Sequence, residues 1–204
     1  MRLSRFALTL SVLMFSLVLA GPAFANTVNM QYSIDNPISV NGTPTMLACD
    51  SFDNTLINGE TWKANLNPFL QGISSSLFGP SMTLDYKAAG LIFKAALFGG
   101  GSITADTAKW AIWGLFSANA RSQSGFTGAA AALDAQYLTL AATAKDSAFA
   151  GLLLYTPIAG SQSIGGTPQE FIGYSAVPEP SSLMLMGTGL IGLAGTLRRK
   201  FAKA

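Results

Sequence analysis

The sequence predicts an α+β domain set between two targeting segments, and three observations carry that reading. Residues 27–66 and 152–177 have strand character, residues 84–150 between them have helical character, and both termini hold an apolar run beside basic residues. Strands, then helices, then strands imply one domain whose end strands meet in one sheet. A single C-terminal transmembrane helix is expected to follow it.

The N-terminus has the layout of a signal peptide. Arg2 and Arg5 form a basic start, residues 6–19 are mostly apolar, and Ala23-Phe24-Ala25 has the small-x-small form that signal peptidase cuts. Cleavage after Ala25 leaves Asn26 as the mature N-terminus, so segment 1–25 is assigned to export and 26–176 to an extracytoplasmic domain.

Within that domain Val28, Met30, Tyr32 and Ile34 alternate with polar residues, the period of a half-buried strand. Asn36-Pro37 and Asn41-Gly42-Thr43-Pro44 read as turns, with further strands over 45–49 and 60–66. Leu84, Ala88, Leu91, Ala95 and Phe98 recur at helical spacing, and Gly99-Gly100-Gly101 ends that helix in a loop. A second helix begins near Thr104, an N-cap residue with Asp106 in the first turn. A third, alanine-rich, covers about 127–144. Two strands, 152–158 and 170–176, close the domain around a Gly/Ser loop.

The whole chain has 12 basic and 10 acidic residues, a formal charge of +2. Residues 26–176 alone hold six bases against nine acids, which leaves the domain at −3. The basic balance therefore belongs to the termini, and nucleic-acid binding is not expected. There is no histidine and one cysteine, Cys49. This excludes histidine-based zinc sites, Ser-His-Asp triads, Cys-His dyads and an intrachain disulfide. No phosphate-binding or dinucleotide-binding loop is present. No catalytic, metal or cofactor residue is assigned.

The C-terminus reads VPEPSSLMLMGTGLIGLAGTLRRKFAKA. Residues 181–197 carry no charge and span roughly 26 Å as a helix, near the thickness of a hydrocarbon core. Pro178 and Pro180 mark a sharp start, and Arg198, Arg199 and Lys200 with Lys203 mark the cytoplasmic end by the positive-inside rule. Everything between the two apolar runs then lies outside the inner membrane.

Pro178-Glu179-Pro180, the apolar run and the Arg198-Arg199-Lys200 cluster resemble, in order and spacing, the PEP-CTERM sorting signal of Gram-negative bacteria. The same module is also known as the C-terminal domain of some ice-binding proteins. The resemblance covers segment 177–204. It implies export across the inner membrane, transient anchoring by the helix at about 181–197, and processing by exosortase near Pro-Glu-Pro. Release to the cell surface or extracellular space follows, in association with exopolysaccharide and biofilm. It implies nothing about ice binding or catalysis in the domain itself.

Cys49 and Lys109 form a second pair of interest. At about 100° per residue, Lys109 falls among Ala105, Ala108, Ile112, Trp113 and Phe116, an apolar stripe. Such a lysine must extend to water along its stem, pair with a carboxylate such as Asp50 or Asp53, or react. Leu47-Ala48-Cys49-Asp50 and Ala108-Lys109-Trp110-Ala111-Ile112-Trp113 resemble the thioester domains of Gram-positive surface adhesins, which join a strand cysteine to a helix glutamine. Here lysine occupies the glutamine's place. It has no carboxamide for the thiol to attack, so a thioester at this pair is excluded chemically.

Three functions stand at this level. The first, and preferred, is an exported non-catalytic surface or matrix protein. The second is a thioester-like adhesion module. The third is a secreted polysaccharide hydrolase using paired carboxylates such as Asp50 and Asp53, with Glu60 nearby.

Overall fold

A computed structural model describes residues 27–33 and 38–175. The signal segment with Ala23, Ala25 and Asn26, the positions Ile34 and Asn36-Pro37, and the tail with Pro178, Glu179, Pro180, Arg198, Arg199 and Lys200 lie outside them. So does the expected membrane helix at 181–197. Among the described residues no helix is long and apolar enough to cross a membrane.

The described chain is α+β. The first strands are β1 (Thr27–Tyr32), β2 (Ile38–Val40), β3 (Thr43–Pro44), β4 (Leu47–Cys49) and β5 (Thr61–Pro68). The helical middle holds α1 (Phe69–Gly72), α2 (Thr83–Phe98), α3 (Ala105–Phe116), α4 (Ala118–Arg121) and α5 (Gly128–Thr143), with short 3-10 turns between. Strands β6 (Leu152–Pro157) and β7 (Phe171–Tyr174) follow. All seven strands form one sheet in the order β3-β2-β1-β5-β6-β7-β4, so the end strands do meet as expected.

Alternation sets the register. Val28 lies opposite Ala64 and Met30 opposite Trp62 across the antiparallel β1–β5 pair, and all four are buried on one face. Asn41 (φ 50°) and Gly42 (φ 80°) turn β2 into β3, the pair of positive angles a two-residue hairpin favours. Thr43-Pro44, expected as part of that turn, instead pairs as the edge strand, where a missing N–H can face away from the ladder. The strand expected over 45–49 is shorter because Thr45 and Met46 bridge from β3 to β4.

That bridge shapes the sheet. Strands β3 and β4 occupy opposite edges, yet only Thr45 and Met46 separate them. Three Cα steps reach at most about 11 Å. A flat seven-stranded sheet would place its edges about 29 Å apart. The sheet therefore curls into a half-barrel until its edges nearly meet. Its inner face encloses Val28, Met30, Trp62, Leu153, Tyr155 and Phe171.

The outer face packs on helices. Along β6, Leu153 and Tyr155 point inward, while Leu152 and Leu154 join Ile172 against α2, α3 and α5. Small residues let the three helices approach: Ala88, Ala89, Ala108, Ala111, Ala130 and Ala141 are all buried. Thr104 caps α3 as expected, its hydroxyl accepting from the Thr107 N–H at 3.2 Å. The α2 stripe is shifted from the expected one. Leu84 and Phe98 are exposed, and Tyr86, Ala88, Ala89, Gly90, Ile92 and Phe93 are buried. Helix α2 is covered on two sides, so its buried arc follows small residues that a hydropathy stripe ranks low.

Gly90 separates two opposing expectations. Alanine is the better helix former by about 1 kcal/mol. Yet a Cβ at Gly90 would sit 2.8 and 2.9 Å from the Phe69 ring, which is itself buried against Phe149. Crowding should win, and Gly90→Ala should lose about 1–3 kcal/mol in urea denaturation; a gain would show that the Phe69 ring can move aside.

Candidate functional site

Cys49-Asp50-Ser51 continues the β4–β7 ladder past its last paired residues. Cys49 is in register with Phe171, the Asp50 N–H donates to the Glu170 carbonyl at 3.3 Å, and the Glu170 N–H donates to Ser51 Oγ at 2.8 Å. Successive side chains point to opposite faces. Cys49 therefore faces the barrel interior and Asp50 the helices.

Asp50 and Glu170 are both fully buried. Glu170 Oε1 accepts from the Tyr86 hydroxyl, and Oε2 accepts from Thr156 Oγ1 at 2.5 Å and the Leu77 N–H at 3.0 Å. No N–H or O–H donor meets an oxygen of Asp50 in good geometry. Burial first, and the Glu170 charge second, push the Asp50 carboxyl well above the usual carboxylate range. Beside Glu170, Asp50 therefore keeps a proton to higher pH than an ordinary carboxyl. Tyr86 is wedged between Phe116, at a ring distance of 4.8 Å, and Phe78, whose N–H donates to its hydroxyl oxygen at 3.2 Å. Burial raises its phenol as well.

Beside this acid pair is a cavity of about 410 Å³ between the barrel mouth and helices α2 and α3. Tyr32, Ile38, Leu47, Cys49 and Phe171 line the sheet side, with Phe93, Leu97, Ala108, Ile112 and Trp113 opposite. Residues from both ends of the strand order meet here because the sheet curls. Cys49 is half-buried, and burial with the neighbouring Asp50 pushes its thiol up to about 12. The wall it contributes is a neutral thiol. Among the described residues, the buried Trp113 indole N–H has no hydrogen-bond partner.

Cys49 and Lys109 both line this cavity. Of the three readings of Lys109, the structure agrees with the one that extends to water, with Asp106 as its partner in place of Asp50 or Asp53. Its ammonium pairs with Asp106, one helical turn away, at 2.7 Å, and its side chain is 43% exposed. It lies 5.5 and 5.3 Å from the ring centres of Trp110 and Trp113. The buried arc of α3 runs through Ala108, Ala111, Ile112 and Leu115, with Lys109 at its edge.

The carboxylates named as a possible hydrolytic pair do not converge. Asp50 faces Glu170, while Asp53 is exposed and accepts from Asn119 Nδ2 at 2.8 Å. Glu60 is buried and accepts from the Ile57 N–H of its own loop at 3.0 Å. The sequence reading missed Glu170, Tyr86 and Thr156. The signal for Glu170 was an acid directly before the apolar strand Phe171-Ile172-Gly173. It also missed Asp134, a lone acid on the alanine-rich helix. Asp134 is buried and raised to about 7 by burial, against Arg121 at 3.9 Å. Among the described residues no group of three or more metal-binding side chains is assembled.

Residues 176–200 match the family model of the PEP-CTERM protein-sorting motif. The matched span contains Pro178-Glu179-Pro180 and Arg198-Arg199-Lys200. The chain thus carries this sorting motif, which implies export, processing by exosortase, and a cell-surface or extracellular destination. No curated protein and no solved structure matches the chain.

Two outcomes test this geometry. Asp50 and Asp134 hold their protons in the folded state to a higher pH than in the unfolded chain. Their contribution is complete below about pH 4 and is lost as pH rises, with a slope of up to about 1.4 kcal/mol per pH unit for each group. For Asp134 the window runs from 3.8 to about 7. Urea titrations across pH should therefore flatten in Asp134→Asn between about pH 4 and pH 7, and in Asp50→Asn from about pH 4 upward. Unchanged slopes would mean that neither acid is held protonated. Lys109→Met should change thermal stability by no more than about 0.5 kcal/mol, because its pair with Asp106 is exposed.

Proposed function

We propose that this chain is a non-catalytic component of the cell surface or extracellular matrix of a Gram-negative bacterium, associated with exopolysaccharide. Signal peptidase removes residues 1–25. The apolar run at 181–197 anchors the domain transiently, with Arg198, Arg199 and Lys200 on the cytoplasmic side. Exosortase cuts near Pro178-Glu179-Pro180 and the domain leaves the membrane.

One observation carries the non-catalytic part. The reactive groups at and beside this cavity are held in their inert forms. The Cys49 thiol is raised to about 12, and no basic side chain is hydrogen-bonded to its sulfur; Asp50 is sealed against Glu170. A nucleophile needs a thiolate or an adjacent base within reach, and a glycosidase needs two carboxyl groups facing one cleft. The separation of Asp50 from the exposed Asp53 argues against the hydrolase reading in the same way.

Fractionation of the native host, with mass spectrometry of both protein termini, tests the route. A mature chain should begin at Asn26 and end near Pro180 in the surface or extracellular fraction. Glu179→Ala should leave full-length protein in the inner membrane, and normal release of that variant would overturn recognition through this motif. The released protein should co-purify with matrix polysaccharide without shortening it. Cleavage of that polymer by the purified protein would replace this reading with the hydrolase.

A further inference from the structure

The cavity between the barrel mouth and helices α2 and α3 has an unusual mixture of linings. Its walls are alkyl and aromatic: Ile38, Leu47, Phe93, Leu97, Ile112 and Phe171. Its volume, about 410 Å³, lies in the range of small-molecule sites. Among the described residues, Lys109 is the one charged side chain that lines it. The other polar contributors are Tyr32, Gln169, Cys49 and Trp113. Gln169 Nε2 donates to the Asn54 carbonyl at 2.7 Å, and Cys49 contributes a neutral sulfur. Trp113 adds a buried indole N–H with no oxygen to receive it.

These features select a ligand. A sugar unit would leave its hydroxyls unpaired against such walls, so the matrix polymer is a poor occupant. A cationic amphiphile would meet Lys109. A neutral hydrocarbon would fill the walls but leave the Trp113 N–H unanswered. An anionic head answers both donors while its chain covers the alkyl walls. The present partner of Lys109 is no obstacle: Asp106 is 72% exposed, and an exposed pair exchanges readily for a better-placed anion. Trp110 and Trp113, packed edge to face at 5.1 Å and both covered by Phe52, hold the ammonium over an aromatic floor.

We propose that this cavity binds a medium-chain aliphatic carboxylate, its chain between the barrel mouth and α2–α3 and its head on Lys109 and the Trp113 N–H. The proposal concerns a site of the folded domain and does not depend on the delivery route or on polysaccharide association.

The test uses the full chain in zwitterionic nanodiscs, with empty nanodiscs as the blank, and three probes of equal chain length: decanoate, decanol and decyltrimethylammonium. Cys49 is the only cysteine, so its modification by a small methanethiosulfonate reports occupancy of the cavity wall. Decanoate should slow that reaction saturably, and decyltrimethylammonium should not. Lys109→Met should weaken decanoate protection about tenfold and leave any effect of decanol unchanged, while Lys109→Arg should largely retain it. Contact quenching of tryptophan fluorescence by a bromine-terminated decanoate gives a second readout independent of thiol reactivity, and it should show the same Lys109 dependence. Equal effects of all three probes would mean partition without a site. No saturable effect in either readout would mean the cavity takes no such ligand. Either result overturns the proposal.

Discussion

The carboxyl group of Glu170 is where the separate parts of this domain are tied to one another. It has no access to water, so its oxygens must be answered from within. The answers come from α2 through Tyr86, from the segment before α2 through Leu77, and from β6 through Thr156. Its backbone takes in the segment after β4 through Asp50 and Ser51. Sheet and helices are thus fixed to each other by one group, and the direction of each neighbour follows. With Asp50 turned to Glu170, strand alternation turns Cys49 to the other face, where it becomes the wall of the cavity.

A second constraint is purely geometric. Thr45 and Met46 must join opposite edges of a seven-stranded sheet, which no flat sheet permits. The curl that results creates an inner core of its own around Trp62 and Met30, separate from the core shared with the helices. It also brings Tyr32 and Ile38 across from Leu47 and Cys49. The cavity is the space that remains where the curled sheet stops short of closure, roofed by α2 and α3. Its apolar character follows from being a continuation of the inner core.

What the sequence disclosed were features specified by neighbours in the chain. The alternation of Val28 and Met30, the Asn41-Gly42 turn, the Thr104 cap and the glycine loop after α2 each depend on a few consecutive residues, and each was legible. The acid pair was not, because Ser51 and Glu170 stand 119 residues apart and no local pattern joins them. Lys109 shows a different limit. A helical wheel supposes that the apolar arc is the buried arc. On α3 the tryptophans widen that arc toward the surface, since indoles lie at the cavity mouth under Phe52. The lysine among them therefore rests on aromatic rings at the edge of water, paired with the first-turn acid Asp106.

The place of β7 in the strand order bears on how the molecule comes to be folded. This strand is the last described element, yet it lies inside the sheet, between β6 and β4, and it ends at Tyr174, just ahead of the sorting motif at 176–200. A chain emerging amino end first cannot seat β4 or enclose Glu170 until its final stretch has arrived. Contacts so distant in sequence also form slowly. The sheet is therefore completed only by the strand that stands immediately before the sorting motif.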